Sequence, residues 1–260
     1  MAALPAPTAP PETRRAPRTE ALRHAAPDTR PEGDETPYDR YLRTMPDGAK
    51  GDLVCGEAVI EMSTSVTHEL IFGFLYTLLK LYVEERGLGV VLGSRTLMKV
   101  DDENDYEPDV LFVRADRLDI IGDLDIGARV DLAVEIVSRT SGRRDRETKF
   151  EGYERLGVPE YWLVDPLRGE AAFYRLDDSG RYRAVPLAAG VFESTAVPGF
   201  RLDPQVLVAE TLPPVLPLLT DLLARPLPAT EAPVDAPDAD DASGEDNASG
   251  DEAPGDGGAA

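Results

Sequence analysis

The chain has 260 residues, 42% hydrophobic and 29% charged, an ordinary composition for a globular protein. Its charge is less ordinary: 49 acidic against 27 basic side chains give a net −22, which excludes a generally basic coat for nucleic acid. A lone cysteine, Cys55, excludes an intramolecular disulfide framework or a cysteine-rich zinc site. Two histidines, His24 and His68, argue against a histidine-based metal centre. With no apolar run of ~18 residues and no apolar leader, the expectation is a cytoplasmic protein with no membrane partner.

The first 37 residues, rich in Ala, Pro and Arg, and the last 31 (230–260), rich in Asp, Glu, Ala and Gly, lack apolar periodicity and read as disordered tails. Solubility is the simplest role for the acidic tail. One domain is expected over 38–210, followed by a helical or extended Leu/Pro-rich segment over 211–229. Pro37–Thr44 (PYDRYLRT) reads as a short helix, and 52–62 as two short strands joined at Gly56. From 65 to 86, Leu70, Ile71, Phe74, Leu75, Leu78, Leu79, Tyr82 and Val83 recur at i, i+3, i+4, an amphipathic helix stopped by Gly87 and Gly89. Strands follow at 90–100, 108–113 (PDVLFV) and 131–138 (DLAVEIVS), the last apolar enough to be central. A helix over 144–156 leads to a strand at Glu160–Asp165 (EYWLVD). A hairpin over 171–176 and 182–186 turns at Asp178-Ser179-Gly180. Tyr161 and Trp162 are expected in the core. The order predicts an α/β fold, a central mixed sheet flanked by helices.

Charges stand where strands should be apolar. Asp109 follows Pro108 at a strand start, and Glu135 lies between Val134 and Ile136. A buried carboxylate must be paired, hydrogen-bonded or metal-bound. Two carboxylates on adjacent strands suit Mg²⁺ or Mn²⁺, and an ion pair with one of the arginines is the alternative. Lys149 is one of four lysines beside 23 arginines. From the helix after the Glu135 strand its ammonium, a compact point charge, could reach the space between the two acids. Asp145, at i−4, is either its orienting partner or half of a surface pair.

Glu107 through Val113, Asp131 through Ser138 and Asp145 through Asp165 (DRETKFEGYERLGVPEYWLVD) closely resemble the Uma-two family of restriction-endonuclease-like proteins. That family lies within the PD-(D/E)XK nuclease superfamily. The resemblance runs from about Tyr38 to Val208. It implies a restriction-endonuclease-like core and a Mg²⁺-dependent (or Mn²⁺-dependent) endonuclease acting on DNA. Asp109, Glu135 and the Ile136 carbonyl would hold the metal, and Lys149 would position the hydrolytic water. The superfamily pattern puts its lysine where Val137 stands, so the resemblance makes Lys149 a substitute arriving from the helix. A silent nuclease-fold binding protein is the competing account.

Among accessory residues, His68 either touches phosphate or water at the site or satisfies a local carbonyl. Glu57 is a further candidate acid. Asp101, Asp102, Glu103 and Asp105 read as a solvated turn. Arg139, Arg143, Arg144 and Arg146 either hold DNA phosphates or neutralise the acids. Cutting both strands of a duplex needs two sites, so a homodimer is one arrangement compatible with the function.

Overall fold

The computed structural model describes residues 36–46, 49–60 and 64–228. The expected disordered tails, apart from Thr36 and Pro37 which start the first helix, and the end of the strand expected at 52–62, lie outside the described residues.

Helix α1 (Pro37–Thr44) begins with a capping box in which Thr36 and Asp39 satisfy each other's backbone N–H. Strands β1 (Gly51–Val54) and β2 (Glu57–Ile60) form a hairpin. Helix α2 (Val66–Arg86) is capped by the Ser65 side chain and ends where Gly87 turns left-handed, at φ 64°. The expected strand at 90–100 is two: β3 (Gly89–Gly93) and β4 (Leu97–Lys99). Arg95, at φ 83°, marks the break, and the halves join different sheets. Then come β5 (Asp105–Tyr106), β6 (Val110–Arg114), a 3-10 turn at Ala115–Ile120, β7 (Asp125–Ile126) and β8 (Leu132–Ile136). The helix expected over 144–156 divides into a π-helical turn, Arg144–Lys149, and α3 (Phe150–Leu156). Strands β9 (Glu160–Asp165), β10 (Glu170–Leu176) and β11 (Tyr182–Ala184) follow, then the short β12 (Phe192–Glu193) and β13 (Arg201–Leu202), and α4 (Val215–Ala224).

The central sheet runs β11-β10-β9-β8-β6-β3, antiparallel except for the parallel β8–β9 pair. Alternation sorts its residues onto two faces. Val110, Phe112, Leu132, Val134, Ile136, Trp162 and Val164 face one core with α2. Leu111, Val113, Ala133, Tyr161 and Leu163 face the other, with Tyr153 of α3 and with Met98, Tyr106 and Ile126 of the second sheet. That second sheet runs β2-β1-β5-β4-β7. The expected mixed α/β architecture is therefore present, with β8 central and wholly buried.

Helix α2 is long and apolar enough to span a membrane by length and composition, but 44% of its most apolar window is buried and it serves as the core helix. Gly152 allows α3 to meet the second sheet, since a Cβ there would lie 2.5 Å from the Tyr106 ring.

Candidate active site

The β6–β8 register, Val110 against Val134 and Leu111 against Ala133, sets Asp109 opposite Glu135 one step further along. Opposed residues in an antiparallel pair share a face, so the two acids meet at one end of the central sheet. Both are buried. The Ile136 N–H donates to Asp109 Oδ2 at 2.8 Å, so the residue expected to contribute its carbonyl also joins through its amide.

Asp109 has two further partners. Lys50 Nζ donates to Oδ1 at 2.6 Å, and His68 Nε2, on the first turn of α2, lies 3.2 Å from Oδ2. Burial would raise this carboxyl, but the His68 hydrogen bond and the Lys50 charge hold it well below the usual carboxylate range. Burial disfavours protonation of His68, yet its contacts with Asp109 win and its pKa is raised. His68 thus belongs to the cluster, through a carboxylate partner rather than a backbone carbonyl.

Glu135 is held differently. Its Oε1 accepts from Lys149 Nζ at 2.9 Å and from the Tyr153 hydroxyl at 2.6 Å. Among the described residues no donor sits on Oε2. Burial pushes its pKa well up, Lys149 opposing and Asp145 and Asp109 reinforcing the rise. Lys149 is fully buried. Its ammonium also lies 3.2 Å from Asp52 Oδ1 and 3.5 Å from the Glu107 carbonyl.

The π-helical turn explains how Asp145 and Lys149 both point inward. Its wider winding leaves the i, i+4 pair buried rather than on the surface. Ser141 Oγ donates to Asp145, whose backbone carbonyl accepts from Tyr161. Asp145 feels Lys149 through space, and burial lifts its carboxyl to about 6.

The other expected residues divide. Glu57 is exposed on β2, outside the cluster. Arg139 is exposed in the loop after β8. Arg143 is exposed and pairs with Glu147 at 2.9 Å, whereas Arg144 turns inward to Asp52 Oδ2 at 2.9 Å. Arg146 pairs with Asp165. The acidic loop is solvated at Asp101, Asp102 and Glu103, but Asp105 is buried in β5.

Four residues of the cluster, Lys50, Asp52, Glu107 and Tyr153, escaped the sequence reading. Lys50 was detectable by the argument used for Lys149, since it is another of the four lysines. Asp52, on β1, holds both Lys149 and Arg144 and accepts from the Glu107 N–H at 2.8 Å. Glu107 accepts from the Gly51 N–H, and burial raises its carboxyl to about 7. No local signal marks Asp52 and Glu107, because their role depends on the second sheet folding over the first.

Among the described residues no three His, Cys, Asp or Glu side chains converge as a ready-made metal site. A hard dication needs less, since Mg²⁺ is commonly held by one or two carboxylates with water and phosphate oxygens completing its shell. Asp109 and Glu135 fit that demand: the first already attracts a cationic ammonium, and the second keeps Oε2 without a donor among the described residues.

A model of the Uma2 family, described as "putative restriction endonuclease", matches residues 37–205. None of the curated proteins matches the chain. Among solved structures, one described as a putative nuclease belonging to DUF820 from Anabaena variabilis ATCC 29413 aligns over 72% of this chain and 99% of its own, at 14% identity and a TM-score of 0.49. The matched segment takes in α1, both sheets and every residue of the buried cluster, and on that match the chain belongs to the Uma2 family.

Proposed function

We propose that this protein is a metal-dependent endonuclease that hydrolyses phosphodiester bonds in DNA. The observation that carries the reading is the buried cross-strand pair Asp109–Glu135 with an ammonium on each member, Lys50 and Lys149. Asp109, Glu135 and the Ile136 carbonyl are the oxygens assigned to Mg²⁺ or Mn²⁺. When bound, the metal would supply Lewis acidity to a phosphoryl oxygen and lower the pKa of an attacking water.

The chain's own groups have separate tasks. His68 and the Ile136 N–H fix the Asp109 carboxylate. Tyr153 and Lys149 fix Glu135. The Lys149 ammonium already faces Glu135, Asp52 and the Glu107 carbonyl, so it can orient a water only by relinquishing one of them. Lys50, with 13% of its side chain exposed, is the ammonium better placed to meet a phosphate.

A silent nuclease-fold binding protein draws support from the same cluster, since Lys50 and Lys149 can balance the acids without metal. The deciding experiment incubates supercoiled plasmid, linear duplex or single-stranded DNA with the protein and Mg²⁺, Mn²⁺ or EDTA, beside Lys50→Ala and Lys149→Ala. The expected result is cutting that requires metal and falls at least about a hundredfold in each variant whose fold is intact by circular dichroism. No cutting on any substrate, together with no heat of Mn²⁺ binding, would overturn the reading in favour of the silent protein.

A further inference from the structure

Beside the acid pair, on the same face of the same sheet, lies a cavity of about 340 Å³ that the cluster does not use. Its floor is the β9–β10 ladder, where Leu163 opposes Ala172 and Asp165 opposes Glu170. Phe150 and Tyr174 form aromatic walls, their rings 4.9 Å apart and nearly perpendicular. Arg146 and Arg168 stand at its rim, both paired with Asp165.

Register connects this cavity to the acids. Glu135 opposes Leu163 across β8–β9, and Leu163 opposes Ala172 across β9–β10. Asp109, Glu135, Leu163 and Ala172 therefore form one transverse row. With strands ~4.8 Å apart, the cavity floor begins about 5 Å from Glu135 and extends to about 10 Å. The π-helical turn spans both places: Lys149 at its end reaches Glu135, and Arg146, three residues earlier, reaches Asp165.

The lining is electrically balanced, two arginines against Asp165 and Glu170, with aromatic walls and a floor left open by the small Ala172. A phosphate alone would meet two carboxylates there. A flat, uncharged ring with polar edges fits better, because it can stack on Tyr174 or Phe150 while Arg168 donates to and Glu170 accepts from its edge. Arg168, with 60% of its side chain exposed and its Nε 3.7 Å from Asp165, can swing onto such an edge. The volume lies near the lower end of the ~300–1,000 Å³ usual for small-molecule pockets.

Deepening the nuclease reading and resting on it, we infer that this cavity receives an unstacked nucleobase of the substrate strand, next to the bond to be cut. The cavity thereby gives the enzyme a base preference at one position and favours DNA whose bases are already unpaired. A base held there sets the register of the backbone over Asp109 and Glu135, a function separate from the hydrolysis itself.

The test has two arms on the full chain. In the first, saturation-transfer NMR follows each deoxynucleoside monophosphate and deoxyribose 5-phosphate with wild type, Arg168→Ala and Ala172→Phe. The expected result is strong transfer to base protons in wild type and binding at least about tenfold weaker in both variants. Equal binding of deoxyribose 5-phosphate, or base binding unchanged in both variants, would overturn the inference. In the second, the ends of fragments cut from a random-sequence single strand are sequenced for wild type and Arg168→Ala. A preference at one position that disappears in the variant supports the pocket, and cutting without any preference overturns it while leaving the nuclease standing. Base binding without cutting would do the reverse, keeping the pocket and removing the nuclease.

Discussion

Two buried glutamates on neighbouring strands show how differently one sheet can treat the same side chain. Glu160, on β9, opposes Leu132 and faces the α2 side; Glu135, on β8, opposes Leu163 and faces the other side. At ~3.3 Å per residue they lie about 10 Å apart along the strands. Glu160 accepts from the Trp162 indole at 2.8 Å, Ser194 Oγ at 2.6 Å, and the Thr195 amide and hydroxyl, both at 2.9 Å. Both of its oxygens are used, chiefly by neutral donors from the 194–196 turn. Glu135 instead has one oxygen shared by Lys149 and Tyr153, no donor on the other among the described residues, and two more acids close enough to raise its pKa. A saturated carboxylate ties a loop to a sheet. An unsaturated one among charges has capacity for a ligand.

If that contrast is functional, substitutions at the two ends should separate activity from stability. The largest effect is expected at the acid pair: Asp109→Asn or Glu135→Gln should lower metal-dependent cleavage at least about 10³-fold, the upper range for losing one transition-state electrostatic contact. The amides keep the shape, and burial already favours an uncharged Glu135, so the Glu135→Gln melting temperature should stay within about 4 °C of wild type, roughly 1 kcal/mol for a domain this size. A Glu135→Gln protein that cuts normally but melts much earlier would reverse the assignment. Glu160→Ala should do the opposite. Leaving the Trp162, Ser194 and Thr195 donors unpaired should cost about 3–5 kcal/mol in urea unfolding, with cleavage per folded molecule unchanged. A loss below about 1 kcal/mol would remove its structural role.

Asp105 is an intermediate case. It is buried on β5, its Oδ1 has no hydrogen-bond partner among the described residues, and burial raises its carboxyl to about 6. The folded pKa exceeds the unfolded one, so the folded state favours the protonated form. Any stability tied to that proton is present below about pH 4 and lost as pH rises through about 6. Asp105→Asn should therefore match wild type near pH 4 and exceed it at pH 8, by at most about 3 kcal/mol for a carboxyl raised from its ordinary value to about 6. Denaturant melts at the two pH values would read it. An equal difference at both would show that packing rather than ionisation decides the site.

Local signals were enough where one element decides its own form. Ser65 and Gly87 bound α2, and EYWLVD becomes β9 without adjustment. They failed where two sheets meet. Residues 90–100 carry the polar step Gly93-Ser94-Arg95-Thr96 between two apolar runs, and there Arg95 turns to φ 83° and the chain passes from β3 in one sheet to β4 in the other. The π-helical turn was equally hidden, because its residues have ordinary helical character and the widening follows from burying Asp145 and Lys149 together. For the site, Asp109 and Glu135 were visible as charges misplaced in apolar strands. Asp52 and Glu107 were not, lying in a short strand and a loop whose burial comes from a different sheet. Glu57 misled for the converse reason: an acid on a strand is anomalous only if its face is covered, and the β2 face is open.

The smallest effect falls on Arg143, which tests how far the contrast extends to the surface. It is exposed and pairs with Glu147 four residues on, whereas Arg144 beside it is turned inward to Asp52. An exposed i, i+4 pair is screened by solvent and contributes little, so Arg143→Ala should scarcely change the unfolding midpoint. If Arg143 also meets a DNA phosphate, affinity should fall at low salt and the slope of log K against log salt should shrink by about one. Arg144→Ala should instead lose stability, because it leaves the buried Asp52 with Lys149 as its remaining basic partner. Should Arg143→Ala leave DNA affinity and its salt slope unchanged, phosphate contact would fall instead to Lys50, which already meets Asp109, or to the exposed Arg139.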